Sequence, residues 1–167
     1  WNNLGNTLRD LKRFDEALTA HQNALNIHQD LGNRHGEADA WNNLGNTLRD
    51  LKRFDEALTA HQNALNIHQD LDDRHGEAMA WNNLGTAARS LGEFGRAVEA
   101  GERAVALFHG LDDLHLVGEA SHELADTLLA AGRPAGEVRA VREAAADAYR
   151  QSGNEEKANE ALAKPDE

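Results

Sequence analysis

Apolar residues recur along this chain at spacings of three and four, with polar residues between them. Ala78, Trp81, Leu84, Ala88 and Leu91 fall on one helical face. Phe54, Ala57, Leu58, His61, Ala64, Leu65, His68 and Leu71 fall on another. No stretch alternates with the period of two that marks a half-buried strand. The pattern predicts an all-α protein built from paired helices. Lys52-Arg53 links the helices of a pair and places positive charge at the first helix's C-terminus. Asp55 and Glu56 open the next helix, so both placements suit the helix dipole. Asp72-Asp73 then offers N-cap oxygens to the succeeding helix.

The pattern itself repeats every 40 residues. Residues 1–31 return unchanged as 41–71, and the two full units differ only at Gly32/Asp72, Asn33/Asp73 and Asp39/Met79. A third unit starts at Trp81 and keeps 16 of the 40 positions of the second, which marks it as a drifted copy. A fourth, from Ser121, retains Leu124, Gly132, Ala140 and Ala144. The predicted division is 1–40, 41–80, 81–120 and a degenerate 121–153. The remainder, 154–167, holds a short solvating helix over Asn154–Lys164 and a tail. One hairpin cannot bury its apolar stripe alone, whereas stacked hairpins share a continuous core. The expected shape is a curved rod with first helices on the concave side and second helices on the convex side.

Trp41-x-x-Leu44-Gly45, followed by Phe54-Asp55-Glu56-Ala57 and Ala64-Leu65, resembles the tetratricopeptide repeat. The 40-residue length is similar to the extended form found in G-protein-modulator adaptors and many bacterial regulators. That resemblance implies a right-handed superhelical solenoid of antiparallel helix pairs that binds peptides or other proteins, with contacts on the first helices. Three departures stand out. Leu8, Leu48 and Ala88 replace the first-helix aromatic, and His21, His61 and Gly101 replace the second-helix aromatic. The closing proline is missing, and the second helix is expected to run on into LGNRHGEA or LDDRHGEA. Unit four carries Ser121, Ala125 and Glu137 in place of Trp, Gly and Ala.

Charge narrows the partners. Across 167 residues, 17 Lys and Arg oppose 29 Asp and Glu, for a net charge of −12. Such a chain repels phosphate backbones, which argues against nucleic acid. There is no cysteine, hence no disulfide and no thiolate chemistry. No apolar run approaches the ~20 residues of a membrane helix. The expected setting is cytoplasmic, with no membrane partner. The start at Trp1 and the Ala- and Arg-rich drift of the later units suggest an excerpt of a longer protein from a high-GC bacterium.

Candidate chemistry is sparse. Trp1, Trp41 and Trp81 read as core residues between successive helices. Gly5, Gly45 and Gly85 sit mid-helix, where a close crossing would compensate their poor helix propensity. Nine histidines invite a metal, but His21, His28 and His35 are seven apart, as are His61, His68 and His75. Seven helical residues span roughly 10.5 Å, too far for ligands on one helix. His28 and His68 align with Phe108, so they read as packing residues, and neutral burial would make the fold acid-sensitive. No metal and no cofactor are expected. Ser90, Ser121 and Ser152 lie in no nucleophile context and carboxylates lie on solvated faces, so no enzyme is expected.

One stripe of the first helices carries a sharper expectation. Asn2, Asn6 and Arg9 recur as Asn42, Asn46 and Arg49, then as Asn82, Thr86 and Arg89. Stacking would align them as ladders along a groove, with Met79 as an apolar contact and Asn3, Asn43 and Asn83 beside them. Amides can pair with an extended peptide's main chain, and arginines can fork carboxylates of a partly acidic segment. In unit four the stripe becomes Glu119, His122 and Asp126, which makes one end acidic. The leading reading is a scaffold binding a partner peptide in this groove. The alternatives are a sensing arm of a larger bacterial regulator and a self-associating array, a homo-oligomer formed through the uncapped N-terminal end.

Overall fold

The computed structural model describes residues 1–163. Its helices, in chain order, are α1 (Asn2–Asp10), α2 (Phe14–Asp30), α3 (Arg34–Asp50), α4 (Phe54–Asp70) and α5 (Arg74–Ser90). They continue with α6 (Phe94–Gly110), α7 (Leu114–Ala130), α8 (Ala135–Gln151) and α9 (Glu155–Ala163). No strand occurs among the described residues. Neighbouring helices pack pairwise in sequence, and α1, α3, α5 and α7 also approach one another. The first helices therefore share the concave side of a right-handed superhelical solenoid.

Turns of three residues set this stacking. After α3, the Lys52 N–H donates to the Arg49 carbonyl and the Arg53 N–H to the Leu48 carbonyl, both at 2.8 Å. The same pair of bonds closes α4: Asp72 N–H to Gln69 O at 3.1 Å and Asp73 N–H to His68 O at 2.9 Å. These are Schellman caps, and they put the middle residue in the left-handed region. Lys52 has φ 60° and Asp72 has φ 54°, where the first unit uses Gly32 at φ 62° for the second of these turns.

The caps overturn one expectation. The second helix does not run on into LGNRHGEA or LDDRHGEA; it stops at Asp30 or Asp70. Asn33 and Asp73 then cap α3 and α5, their side chains accepting from the Gly36 and Gly76 N–H at 3.0 and 2.9 Å. The RHGEA segments thus begin the next first helix, and a unit counted from Trp41 starts inside α3. Arg53 sits at the N-cap of α4, where its charge opposes the dipole, and its guanidinium pairs with Glu56 at 2.6 Å.

A second difference lies in the last hairpin. The turn before α8 holds four residues, Ala131 to Pro134, because Pro134 enters as an extra N-cap residue. The buried residues of α8 are Val138, Arg142, Ala145, Ala146, Ala148 and Tyr149, a face largely offset by one from a 40-residue count. Ala140 and Ala144, which align with the buried Ala100 and Ala104, are exposed. α9 packs Ala158 and Ala161 beside Tyr149, as a short closing helix should; Lys164 and the tail lie outside the described residues.

The core is rich in alanine, so helices approach closely around Leu25, Leu44, Leu48, Leu58, Leu65 and Leu84. Trp41 and Trp81 pack against it but stay half-buried, and Arg103 covers the Trp81 ring at 4.9 Å. Trp1 is 59% exposed, since no earlier hairpin covers it among the described residues. The mid-helix glycines do mark close crossings. A Cβ on Gly45 would stand 2.5 Å from His61 Cε1, and one on Gly5 would strike His21. Gly85 faces Gly101 instead of a ring, and its nearest neighbour would be the Ala97 carbonyl oxygen at 3.2 Å. Gly45→Ala should therefore cost about 1–3 kcal/mol through overpacking, and Gly85→Ala clearly less. Urea unfolding of both variants checks this; equal losses would contradict the seated-ring account.

Candidate functional site

The concave face carries a groove of ≈ 440 Å³ where α1, α3 and α5 run side by side. Amides dominate its lining: Asn2, Asn3, Asn6, Asn42, Asn43, Asn46 and Asn83. Asp39, Met79, Asp73, His68, His75 and Gly76 complete it. Of the stripe read from the sequence, the groove gathers Asn2, Asn6, Asn42, Asn46 and Met79. All ten residues of that stripe are partly accessible, so none is lost to the core.

The arginine rungs behave differently from the amides. Arg9 reaches from α1 to Asp50 on α3 at 2.6 Å, and Arg89 reaches Glu123 on α7 at 3.2 Å. Thr86 donates to the same Glu123 at 3.2 Å. These side chains tie one hairpin to the next. Arg49 faces Asp50 of its own helix at 3.9 Å, because Ser90 stands where a repeat of Asp50 would have met it. The expected fork for a partner's carboxylates is thus largely occupied from within.

Beneath the groove the amides meet buried imidazoles. His61 Nδ1 lies 3.4 Å from Asn42 Oδ1, and Asn42 Nδ2 lies 3.5 Å from His68 Nε2. His68 Nδ1 meets Asp73 Oδ2 at 2.9 Å. Burial, with Arg49 adding repulsion, pushes the His61 pKa down to about 3. His21, its counterpart in the first hairpin, is pushed down to about 4 by burial, then by Arg9 and the terminal ammonium. Both rings are fully buried. Burial raises the Asp73 carboxyl, but the Gly76 N–H, His68 and His35 outweigh it and hold it below its usual value.

A second pocket of ≈ 300 Å³ continues toward the C-terminal end. Asn82, Glu119, His122, Glu123 and Glu160 line it, with Tyr149 and Lys157. Of the stripe Glu119, His122 and Asp126 it gathers the first two, and Lys157 pairs with Glu119 and lies 5.6 Å above the Tyr149 ring. No group of three or more metal-ligating side chains suited to an ion occurs among the described residues. No helix among them is long and apolar enough to cross a membrane.

A sequence model of the tetratricopeptide repeat matches residues 1–46 and 36–109, about two thirds of the chain. The chain belongs to the tetratricopeptide repeat family. Among curated proteins none matches the sequence. Several solved structures share the fold. One is a candidate kinesin light chain of Podosopora anserina with nearly identical TPR-like repeats: TM-score 0.73, 18% identity, 96% of this chain and 89% of that chain covered. BtubC from P. vanneervenii gives TM-score 0.68 and 23% identity, over 96% of this chain and 58% of its own. YrrB, described as a TPR protein with an unusual peptide-binding site, gives 0.61 and 23%, covering 96% and 80%. Tetratricopeptide repeats are typically non-enzymatic scaffolds for protein or peptide partners, and this chain has their architecture.

Sequence reasoning missed Asp39, His68, Asp73 and His75 as groove residues. The differences between the first two units pointed to two of them: Asp39, where the second unit has Met79, and Asp73, where the first has Asn33; His68 and His75 are the same in both units and carried no such signal. The depressed histidines give a pH test. Unfolded His binds a proton near pH 6.5, whereas folded His21 and His61 stay neutral down to about 4 and 3. The unfolded state binds more protons in that window, so stability falls as pH drops below ~6.5. From pH 7.5 to 5.5 the loss should be about 1.4 kcal/mol per histidine, about 2–3 kcal/mol in all. Urea midpoints unchanged over this range would refute neutral burial.

Proposed function

We propose that this chain is an interaction scaffold whose concave groove holds an extended segment of a partner protein. The supporting observation is where two nearly identical repeats diverge. Of three differing positions in 40, one places Asp39 and Met79 in the groove and another places Asp73 there. The third, Gly32 against Asp72, lies in a turn outside the groove, so two of the three differences fall on a surface whose ligand would differ along its length. Asn3, Asn6, Asn43, Asn46 and Asn83 each offer a donor and an acceptor to a peptide main chain, which suits an extended segment of varied sequence. Asn82 carries the surface on toward the second pocket. Asn42 keeps one N–H and one lone pair for the groove, while Asn2, Arg9, Arg49, Thr86 and Arg89 act more as its frame.

An acidic partner segment no longer fits. Arg9 and Arg89 are held by Asp50 and Glu123, and Asp39 and Asp73 flank the amides. A neutral or basic segment matches this charge. Peptides selected from a random display library against the chain should lose about 2- to 12-fold in affinity per variant in Asn6→Ala and Asn46→Ala, the loss of one neutral hydrogen bond. Selected peptides indifferent to both variants would remove the groove from the account.

A second reading, self-association, has its own observation. Leu4 is 47% exposed and shares a shallow pocket with Trp1 and Leu8, whereas Leu44 and Leu84, its counterparts, are 5% and 3% exposed. Within the solenoid such an edge is covered by the preceding hairpin, so another repeat edge is its natural cover. Sedimentation should show concentration-dependent dimers that Leu4→Glu disperses. A monomer at high concentration would dismiss this reading.

A further inference from the structure

The chain of polar groups beneath the groove admits one arrangement of protons. The Asp73 carboxylate accepts the Gly76 N–H at Oδ1 and faces His68 Nδ1 with Oδ2. A carboxylate only accepts, so His68 carries its proton on Nδ1 and its Nε2 is an acceptor. Asn42 must then turn its NH2 toward His68 and its oxygen toward His61, whose proton sits on Nδ1.

We infer that the His61–Asn42–His68–Asp73 chain is a proton-operated switch in the groove wall, in which protonation of His68 turns over the Asn42 amide. The inference rests on the groove reading for its consequence. A doubly protonated His68 has donors on both nitrogens, so Nε2–H would confront the Asn42 NH2. Rotating the amide by 180° brings Oδ1 to that donor and NH2 to His61. His61 accommodates the change by carrying its proton on Nε2, a buried nitrogen with no hydrogen-bond partner in the original arrangement. The net gain is one proton, on His68; His61 gives up its Nδ1 proton and takes one on Nε2, an exchange with solvent that its burial makes slow.

The surroundings favour charge on His68 over His61. Asp73 stands 2.9 Å from His68 as a counter-ion, and Asp39 of α3 shares the same groove. His35 of α3 acts on Asp73, and His75 of α5 lines the groove beside His68, so both oppose the charge at the margin. Arg49 repels any charge on His61. The first hairpin lacks the device. Asn33 stands where Asp73 does, and its Nδ2 lies 3.2 Å from His28 Nδ1, an amide where the switch has a carboxylate. The amide links are missing there as well, since Asn2 Oδ1 and both His21 ring nitrogens are buried without a hydrogen-bond partner. For a bound peptide, turnover exchanges the free N–H and lone pair of Asn42, and main-chain pairing there goes out of register.

Nuclear magnetic resonance on the free chain tests this without any peptide. As the pH is lowered, the Asn42 side-chain NH2 signals should move together with the His68 ring-nitrogen signals, while His61 changes from its Nδ1–H to its Nε2–H nitrogen pattern. Asp73→Asn, a residue the first repeat already carries at this place, should abolish the coupled response. Static Asn42 signals during the His68 titration, or an unchanged response in Asp73→Asn, would overturn the switch. With far-UV circular dichroism constant, affinity for a display-selected peptide should change about 2- to 12-fold from pH 7.5 to 5.5 in the wild type and less in Asp73→Asn. Equal affinities would overturn control of the groove. A failure to select any peptide would count against the groove reading, and the resonance experiment would still decide the switch.

Discussion

A side-chain ring lying directly on a helix backbone is the contact on which the rest of this solenoid depends. Among the described residues, five such rings lie over a residue without Cβ: Gly5 under His21, Gly36 under His28, Gly45 under His61, Gly76 under His68 and Gly118 under Tyr149. Phe108, in the place of His68, instead meets Leu116 where Gly76 would stand. Each glycine weakens its own helix, and the close crossing offsets that cost. The crossing also fixes how far apart successive first helices stand, which sets the width of the concave groove. Where the ring is absent, as at Gly85 opposite Gly101, Leu124 leans in to contact the site that a Gly101 Cβ would fill.

Choosing imidazole for most of these seats has a price in solvation that phenylalanine or tyrosine would avoid. Phe108 occupies the place of His68 in the third repeat and is as deeply buried. The histidines instead bring nitrogens under the groove, and those nitrogens hold the Asn42 amide from below. The groove floor and the hairpin seam are therefore the same set of atoms seen from two sides. Arginines join neighbouring hairpins across the same face through Asp50 and Glu123, so the wall is braced by charge as well as by packing.

The architecture was legible in the sequence because periodicity and repetition are local. Spacings of three and four gave the helices, and the Trp-x-x-Leu-Gly motif gave the family. The extent of the second helix is not legible, because it depends on whether Asn33 and Asp73 cap the next helix; the sequence marks Asp72-Asp73 as a cap but neither Asn33 nor the effect of a cap as a stop. The register of α8 was hidden by Pro134, which lengthens a turn without changing the face that it feeds. Amides on the groove were visible as a recurring stripe. The occupation of Arg9 and Arg89 was not, since their partners lie on another hairpin, 41 and 34 residues away.

The hairpin formed by α3 and α4 meets an identical α2 before it and, at α5, a helix that opens with the same Arg-His-Gly-Glu-Ala as α3. Both of its faces are thus already fitted to copies of itself. The four-residue turn ahead of α8 breaks that equivalence, and Arg142 falls where His61 would. Lengthening by tandem insertion is geometrically open in the first half of the molecule and closed in the second, which makes the N-terminal half the extensible part of the rod.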